Sequence, residues 1–313
     1  MQDAGPAIYV EHLRKTYGAR VAVADLTLTV ERGEVFGFLG PNGAGKTTTV
    51  KMMTGLIRPT SGRISVLGRP LGDVAARRRI GFLPEQFRFH EWLRADEFLD
   101  FHGSLYGLPA AERRAKIPEV LALVGLAERA ASRLSTFSKG MLQRIGMAQA
   151  LIADPELVFL DEPTSALDPI GRREVRDVIN HLKDRGVTVF LNSHLLSEVE
   201  QTCDRAAIIK AGTVAALGSL GDLLRGAQSI DVRAAMSPEM RRTLEQRFTV
   251  LAAGAAESHQ DAVTTLTLAA GEESAPELAD LLAQGGARVY AITPHQRTLE
   301  DLFVEVVQEG GDR

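Results

Sequence analysis

The eight residues Gly40–Thr47, GPNGAGKT, constrain this chain more than any other stretch. They fit G-x-x-x-x-G-K-[ST] and stand between the apolar run EVFGFLG, which ends at Gly40, and a helical pattern from about Lys46 to Gly55. Strand, glycine loop, helix is the context in which this pattern cradles phosphate. Glycines let successive backbone N–H groups turn inward, and the helix start adds unpaired N–H groups and partial positive charge. Gly40, Pro41, Asn42, Gly43, Ala44 and Gly45 would form the cradle, Lys46 would reach the outer phosphates, and the Thr47 hydroxyl can ligate Mg²⁺.

The rest of the chain supplies a sheet for that loop. Residues 8 to 40 read as strands divided by turns, namely IYVEHLRKTYG, VAVADLTLTV and, after ERG, the run that feeds the loop. Residues from about 87 to 153 show helical periodicity, with turns expected near Gly103, at Gly107-Leu108-Pro109 and at Gly125. Strands return at 157–160, at 187–192 and around the turn at Gly212, alternating with helices over about 169–185 and 195–201. That alternation predicts an α/β fold with parallel strands, interrupted by a helical subdomain. After about Leu224 the pattern changes. SIDVRAA, SPEMRRTLEQRF, VTTLTLA, APELADLLAQ, ARVYAIT and TLEDLFVEVV predict a small α+β domain over 225–313, following a first domain over 1–224, with AAGAAESHQ and AAGEESA as loops.

Two further stretches carry chemistry. LVFLD, residues 157–161, is a buried-type strand with a carboxylate at its end, followed by Glu162. Ligands of open α/β sheets bind at the carboxyl ends of strands, which places Asp161 near the metal and Glu162 near the terminal phosphate and the attacking water. In LSTFSKGMLQR, Ser138, Lys139 and Gly140 precede a helix expected over Met141–Ile152, a second place suited to an anion. The chain already has a phosphate loop, which leaves open what this second end holds.

Composition narrows the field. A net charge of −4 over 313 residues offers no general attraction to nucleic acid, and the basic run Arg77–Arg79 reads as a solvated helical face. Cys203, the single cysteine, cannot form an internal disulfide, and MQDAGPAIYV lacks the basic and apolar parts of a secretion signal. A cytoplasmic location is expected. No stretch approaches the ~20 apolar residues that span a bilayer, so any membrane process would need other subunits to cross. Asp231, His259, Asp261 and His295 are scattered over different elements and read as surface residues, not as a metal site.

With these residues in view, the chain resembles the nucleotide-binding subunit of an ATP-binding cassette (ABC) transporter. GPNGAGKTT, LPEQ at 83–86, FSKGM at 137–141, LVFLDEP, SALD at 165–168 and NSH at 192–194 are similar to the family's six motifs and stand in family order over residues 8 to about 220. The resemblance implies a P-loop NTPase cassette with a parallel core, an antiparallel β subdomain and an inserted helical subdomain. It implies that Tyr17 stacks on adenine, that Thr48 joins the phosphate loop, and that Asp161 and Gln86 hold Mg²⁺ beside Thr47. Glu162 would activate water and His194 would hold the γ-phosphate. Ser138 and Gly140 would cap the ATP of a second cassette, with Asp168 in the loop that crosses the dimer. The expected partners are that second cassette, the same chain or a close relative, and integral membrane permease subunits.

The signature departs from the commoner Leu-Ser-Gly-Gly-Gln at Phe137, Lys139 and Met141, a form similar to the export-type branch. The aromatic-rich segment after Gln86, with Phe87, Phe89 and Trp92, resembles the groove for the membrane subunit's coupling helix. RTLEDLFVEVV resembles the closing helix of export-type subunits, with a regulatory or dimer-stabilising role expected of the C-terminal domain. A translation-type cassette protein would join two cassettes in one chain and a repair-type one would carry a very long coiled coil. This sequence shows neither pattern.

Overall fold

The structure, a computed structural model, describes residues 5–87, 89–165, 167–225, 229–254, 263–295 and 297–308. The chain divides into two compact units, one of residues up to Leu220 together with those from Phe303 on, the other Gly221–Leu302.

In the first unit, β1 (Ile8–Tyr17) and β2 (Arg20–Val30) form a hairpin whose buried faces carry Ile8, Val10, Leu13, Leu26, Leu28 and Val30. Next, β3 (Val35–Leu39), buried at every position, runs into the glycine loop and α1 (Lys46–Met53). Then come β4 (Ser61–Val66), β5 (Arg69–Pro70), α2 (Val74–Arg77) and β6 (Ile80–Leu83). The helical insertion is α3 (Ala95–Leu105), α4 (Ala110–Leu123) and α5 (Lys139–Leu151). The sheet resumes with β7 (Leu157–Asp161), α6 (Pro169–Asp184), β8 (Thr188–Asn192), α7 (Leu196–Thr202), β9 (Arg205–Lys210) and β10 (Thr213–Ser219), and α8 (Leu220–Leu223) leads out.

These ten strands order as β5-β4-β1-β2-β10-β9-β3-β8-β7-β6. The stretch from β9 through β6 is parallel, and β7 and β8, like β3, are buried at every residue, as strands covered on both faces must be. The β5-β4-β1-β2 end is antiparallel and joins the parallel part through Thr213 opposite Asp25. Phe36, Phe38, Phe159 and Phe190 from three adjacent strands pack together beneath the strand ends.

The second unit runs β11 (Ser229–Ala235), α9 (Pro238–Arg247), β12 (Thr249–Ala253), β13 (Val263–Ala269), α10 (Ala275–Gln284), β14 (Arg288–His295) and the start of α11 (Leu299–Gln308). Its antiparallel sheet, ordered β12-β13-β11-β14, has the ferredoxin-like β-α-β-β-α-β arrangement. One sheet face meets Leu244 of α9 and Leu278 and Leu282 of α10 around Ile230, Val232, Leu266 and Leu268. From Phe303 on, α11 belongs to the first unit. There Lys210 Nζ donates to the Val306 and Val307 carbonyls at 2.7 Å, satisfying acceptors that a helix end leaves unpaired.

Several expectations from the sequence need correction. Gly103 does not turn the chain but sits inside α3, where a Cβ would lie 2.9 Å from Arg113 Cδ, so the glycine admits a neighbouring side chain. Helix α5 starts two residues before the expected Met141, because Ser138 caps it. The last helix is shared between the units instead of lying wholly in the second, and the boundary falls at Leu220, not Leu224. Arg79 is paired with Glu156 and is not simply solvated. Asp231 and His295 are not scattered: adjacent strands β11 and β14 bring His295 Nε2 to 2.8 Å from Asp231 Oδ2. His259 and Asp261 lie outside the described residues. Among the described residues no group of three or more His, Cys, Asp or Glu could hold a metal, and no helix is long and apolar enough to cross a membrane.

Candidate active site

Register alone brings four chain segments together. Phe38 of β3 lies opposite Asn192 of β8, Asn192 lies opposite Asp161 of β7, and Leu160 lies opposite Leu83 of β6. The glycine loop, Asn192-Ser193-His194, Asp161-Glu162 and Pro84-Glu85-Gln86 therefore leave the sheet side by side, at the edge where open α/β sheets bind ligands.

Gly45 precedes α1 at φ 102°, a conformation that side chains resist, and a Cβ there would lie 2.5 Å from the Ala22 carbonyl. No side chain caps the helix, so the first-turn N–H groups stay available to a ligand. Lys46 Nζ arches back over the loop to the Gly40 and Pro41 carbonyls at 2.6 and 3.2 Å. Burial lowers the Lys46 pKa, while the charges of Glu162, Asp161 and Glu85 work the other way. A cavity of about 170 Å³ opens over the loop, lined by Arg20, Ala22, Asn42, Gly43, Gly45, Lys46, Thr47 and Thr48. Arg20 is the one charged lining residue that the motifs did not single out. Ala44 is buried, and its N–H donates to the Pro41 carbonyl at 3.2 Å.

Asp161 and Glu162 differ from ordinary surface acids. Asp161 is buried and accepts from Asn192 Nδ2; burial raises its pKa most, the Glu85 charge adds to the rise, and the hydrogen bonds from the Asn192 side chain and the Glu85 backbone oppose it. Glu162 adopts φ 55°, a left-handed conformation that costs a side-chain-bearing residue about 1–3 kcal/mol. Its N–H donates to the Asn192 carbonyl at 2.8 Å, which helps hold it there. Its carboxylate oxygen lies 2.6 Å from His194 Nδ1, with the carboxylate side chain 9% exposed and the imidazole 56%. Burial raises the Glu162 pKa, and the neighbouring His194 opposes that rise.

An ionised Asp161 is thus a liability to the nucleotide-free fold. Its folded pKa stands above the unfolded one, so between the two values the native state binds more protons and stability falls as pH rises through the folded pKa. Asp161→Asn keeps an acceptor for Asn192 and removes the charge. Calorimetry without nucleotide near neutral pH should show a thermal midpoint higher by a few degrees, on the scale of about 2–4 °C per kcal/mol. An unchanged or lower midpoint would show that burial of the charge is not costly here.

Ser138, Gly140, Asp168 and Tyr17 lie outside the four strand-end segments. Ser138 caps α5, its Oγ accepting from the Met141 N–H at 3.3 Å, and both Ser138 and Lys139 are exposed. Gly140 faces Leu167, and Asp168 caps α6 by accepting from the Gly171 N–H at 2.7 Å. None of these lines the cavity over the glycine loop. Tyr17 is 51% exposed at the hairpin tip, with the Lys15 ammonium 5.0 Å from its ring centroid. Gln86 is exposed. Phe87 and Phe89 half-bury against Phe98, and Trp92 alone of the three stands out at 71% exposure.

Fold and strand-end cluster together define a P-loop nucleotide-binding α/β domain with an antiparallel subdomain and a helical insertion. The family model described as "ABC transporter" matches residues 23–165. The chain is 37% identical to the bacitracin transport ATP-binding protein of Bacillus licheniformis, over 95% of this chain and 96% of that one. It belongs to the ABC transporter family. It is also 51% identical to an uncharacterized ABC transporter ATP-binding protein of Synechocystis over 66% of this chain, a match that spans only 59% of that relative's length. Among solved structures, a dimeric ATP-binding cassette in a post-hydrolysis state, bound to ADP and Pi, is similar with TM-score 0.63 and 26% identity, covering 68% of this chain and 98% of that one.

Proposed function

We propose that this chain is an ATPase that pairs with a second cassette, a copy of itself, around two ATP molecules and drives export through separate membrane subunits from the cytoplasmic face. The observation that carries the reading is the buried Glu162 carboxylate held at 2.6 Å by His194, on the strand edge that also carries the glycine loop. The full-length likeness to a protein named for bacitracin transport supports export, and the ADP- and Pi-bound dimer supports pairing.

The residues present fit Mg²⁺. Thr47, Asp161 and Gln86 offer oxygen donors, the set that this hard cation prefers, and the buried Asn192 Oδ1 has no hydrogen-bond partner, so polar capacity remains at the site. When bound, the ion would neutralise β- and γ-phosphate oxygens. The chain's own groups do the rest. Lys46 exchanges the Gly40 and Pro41 carbonyls for outer phosphates, joined by the α1 N–H groups and Thr48. Tyr17 stacks on adenine with the ring face that Lys15 leaves free, and Gln86 senses the γ-phosphate. Glu162 takes the proton of the attacking water, and its raised pKa brings it closer to working pH. His194 binds Glu162 through Nδ1 and keeps its other nitrogen for the terminal phosphate. Ser138 and Gly140 serve the partner's ATP, with Asp168 beside the interface. The exposed Trp92, beside the His90 ring, receives the membrane subunit.

The pH dependence of hydrolysis tests the assignment. The clean measurement is the residual turnover of His194→Ala, in which no imidazole faces the Glu162 carboxylate. There burial acts on Glu162 unopposed by the imidazole, and turnover should fall on the acid side through a pKa clearly above the ordinary glutamate range. A decline confined to the ordinary range removes Glu162 as base, and a wild-type chain without ATP turnover removes the whole reading.

A further inference from the structure

The hairpin between β1 and β2 turns through two residues, Gly18 and Ala19, and its register sets Tyr17 directly opposite Arg20. Cross-strand partners project to the same face and lie about 5 Å apart at Cβ, so these two side chains are neighbours. Arg20 is also a lining residue of the cavity over the glycine loop, together with Ala22, two positions on and on the same face, and with Lys46, Thr47 and Thr48.

Several arginines of the subdomain are committed elsewhere, and of those that are not, Arg20 is the one that lines the cavity over the glycine loop. Arg14 donates to the Ala24 carbonyl, Arg32 pairs with Glu156, and Arg63 reaches Glu11. The Arg20 guanidinium is exposed and has no hydrogen bond, ion pair or ring contact among the described residues. An uncommitted guanidinium at the lip of an anion cradle carries five N–H donors in a planar fork suited to phosphate oxygens.

We infer that Arg20 is a nucleotide-binding residue that grips the α-phosphate, between the adenine on Tyr17 and the outer phosphates on Lys46. This rests on the nucleotide reading above. Its position decides the assignment: with the base at the hairpin tip and the γ-phosphate at the lysine, the nucleotide segment passing Arg20 is the ribose and the α-phosphate.

The test is calorimetric titration of the full chain with MgADP and, separately, with the non-hydrolysable analogue MgAMP-PNP. Arg20→Ala should weaken both ligands alike, by about fivefold to tenfold, the scale of a charge-assisted contact at an open site. Arg20→Lys, which keeps charge but not the fork, should fall between. The deficit should shrink in molar salt, since exposed charges are screened there. An unchanged affinity for both ligands overturns the inference, and a loss confined to MgAMP-PNP overturns the α-phosphate assignment. Lys46→Ala separates the two levels. If the wild type binds neither ligand, or Lys46→Ala binds as tightly as the wild type, the nucleotide reading fails. If Lys46→Ala loses affinity while Arg20→Ala keeps it, only the role of Arg20 fails.

Discussion

Glu162→Gln should reduce ATP turnover by at least about a hundredfold, the scale expected when a positioned general base is lost, while prolonging the ATP-bound pair. Glutamine matches glutamate in shape and can still meet His194 Nδ1, so the 2.6 Å contact and the strained backbone at φ 55° need not rearrange. What it cannot do is accept the water's proton. It also removes the cost of a buried carboxylate, so the variant should fold at least as well as the parent. Closure is maintained only while the bound nucleotide favours the closed state over the open one, and a nucleotide that is not cleaved keeps favouring it. With MgATP, size-exclusion chromatography should therefore show a persistent dimer for the variant, where the wild type returns to monomer as its ATP is spent. A variant that hydrolyses at the parental rate places the base on another residue.

The parts of this site that the sequence discloses are those whose signals are local. Gly45 must tolerate φ 102°, and Asp161 must end a wholly apolar strand, so each leaves a pattern within a few residues. His194 follows β8 in the same way. What stays hidden depends on pairing across distance. Strand β6 has four residues, one of them glycine, and β4 reads SGRISV with its first three positions exposed, so neither shows a clear alternation. The ferredoxin-like order and the Asp231–His295 contact exist only once β11 lies between β13 and β14. Gly103 gives the same letter as a turn glycine, and only the approach of Arg113 reveals why it is there. Arg20 belongs to no motif. Its signal is the two-residue turn, which fixes its place opposite Tyr17 and could have been read from KTYGARV.

The remaining large effect concerns the second anion-binding end. In the chain as folded, the start of α5 does not line the cavity over the glycine loop, and Ser138 already spends its hydroxyl on the Met141 N–H. In the proposed pair, the free N–H groups of that first turn take the phosphate of the ATP on the partner's loop. Ser138→Asp isolates this role. Aspartate is as good a helix cap as serine and suits the positive end of α5, so the helix should keep its stability. The added carboxylate, however, meets the incoming phosphate with like charge. Ser138→Asp and Lys46→Ala should each lose nearly all turnover, because both composite sites of either pair contain one fault. Mixed in equal amounts, half of the pairs join unlike chains. In these, one site collects both faults and the other has none; with the two sites equivalent by two-fold symmetry and each turning over by itself, activity should recover to about a quarter of wild type. Turnover per chain should also rise with protein concentration. Ser138→Asp hydrolysing at the parental rate, or turnover per chain that does not change on dilution, would mean that one chain completes its own site.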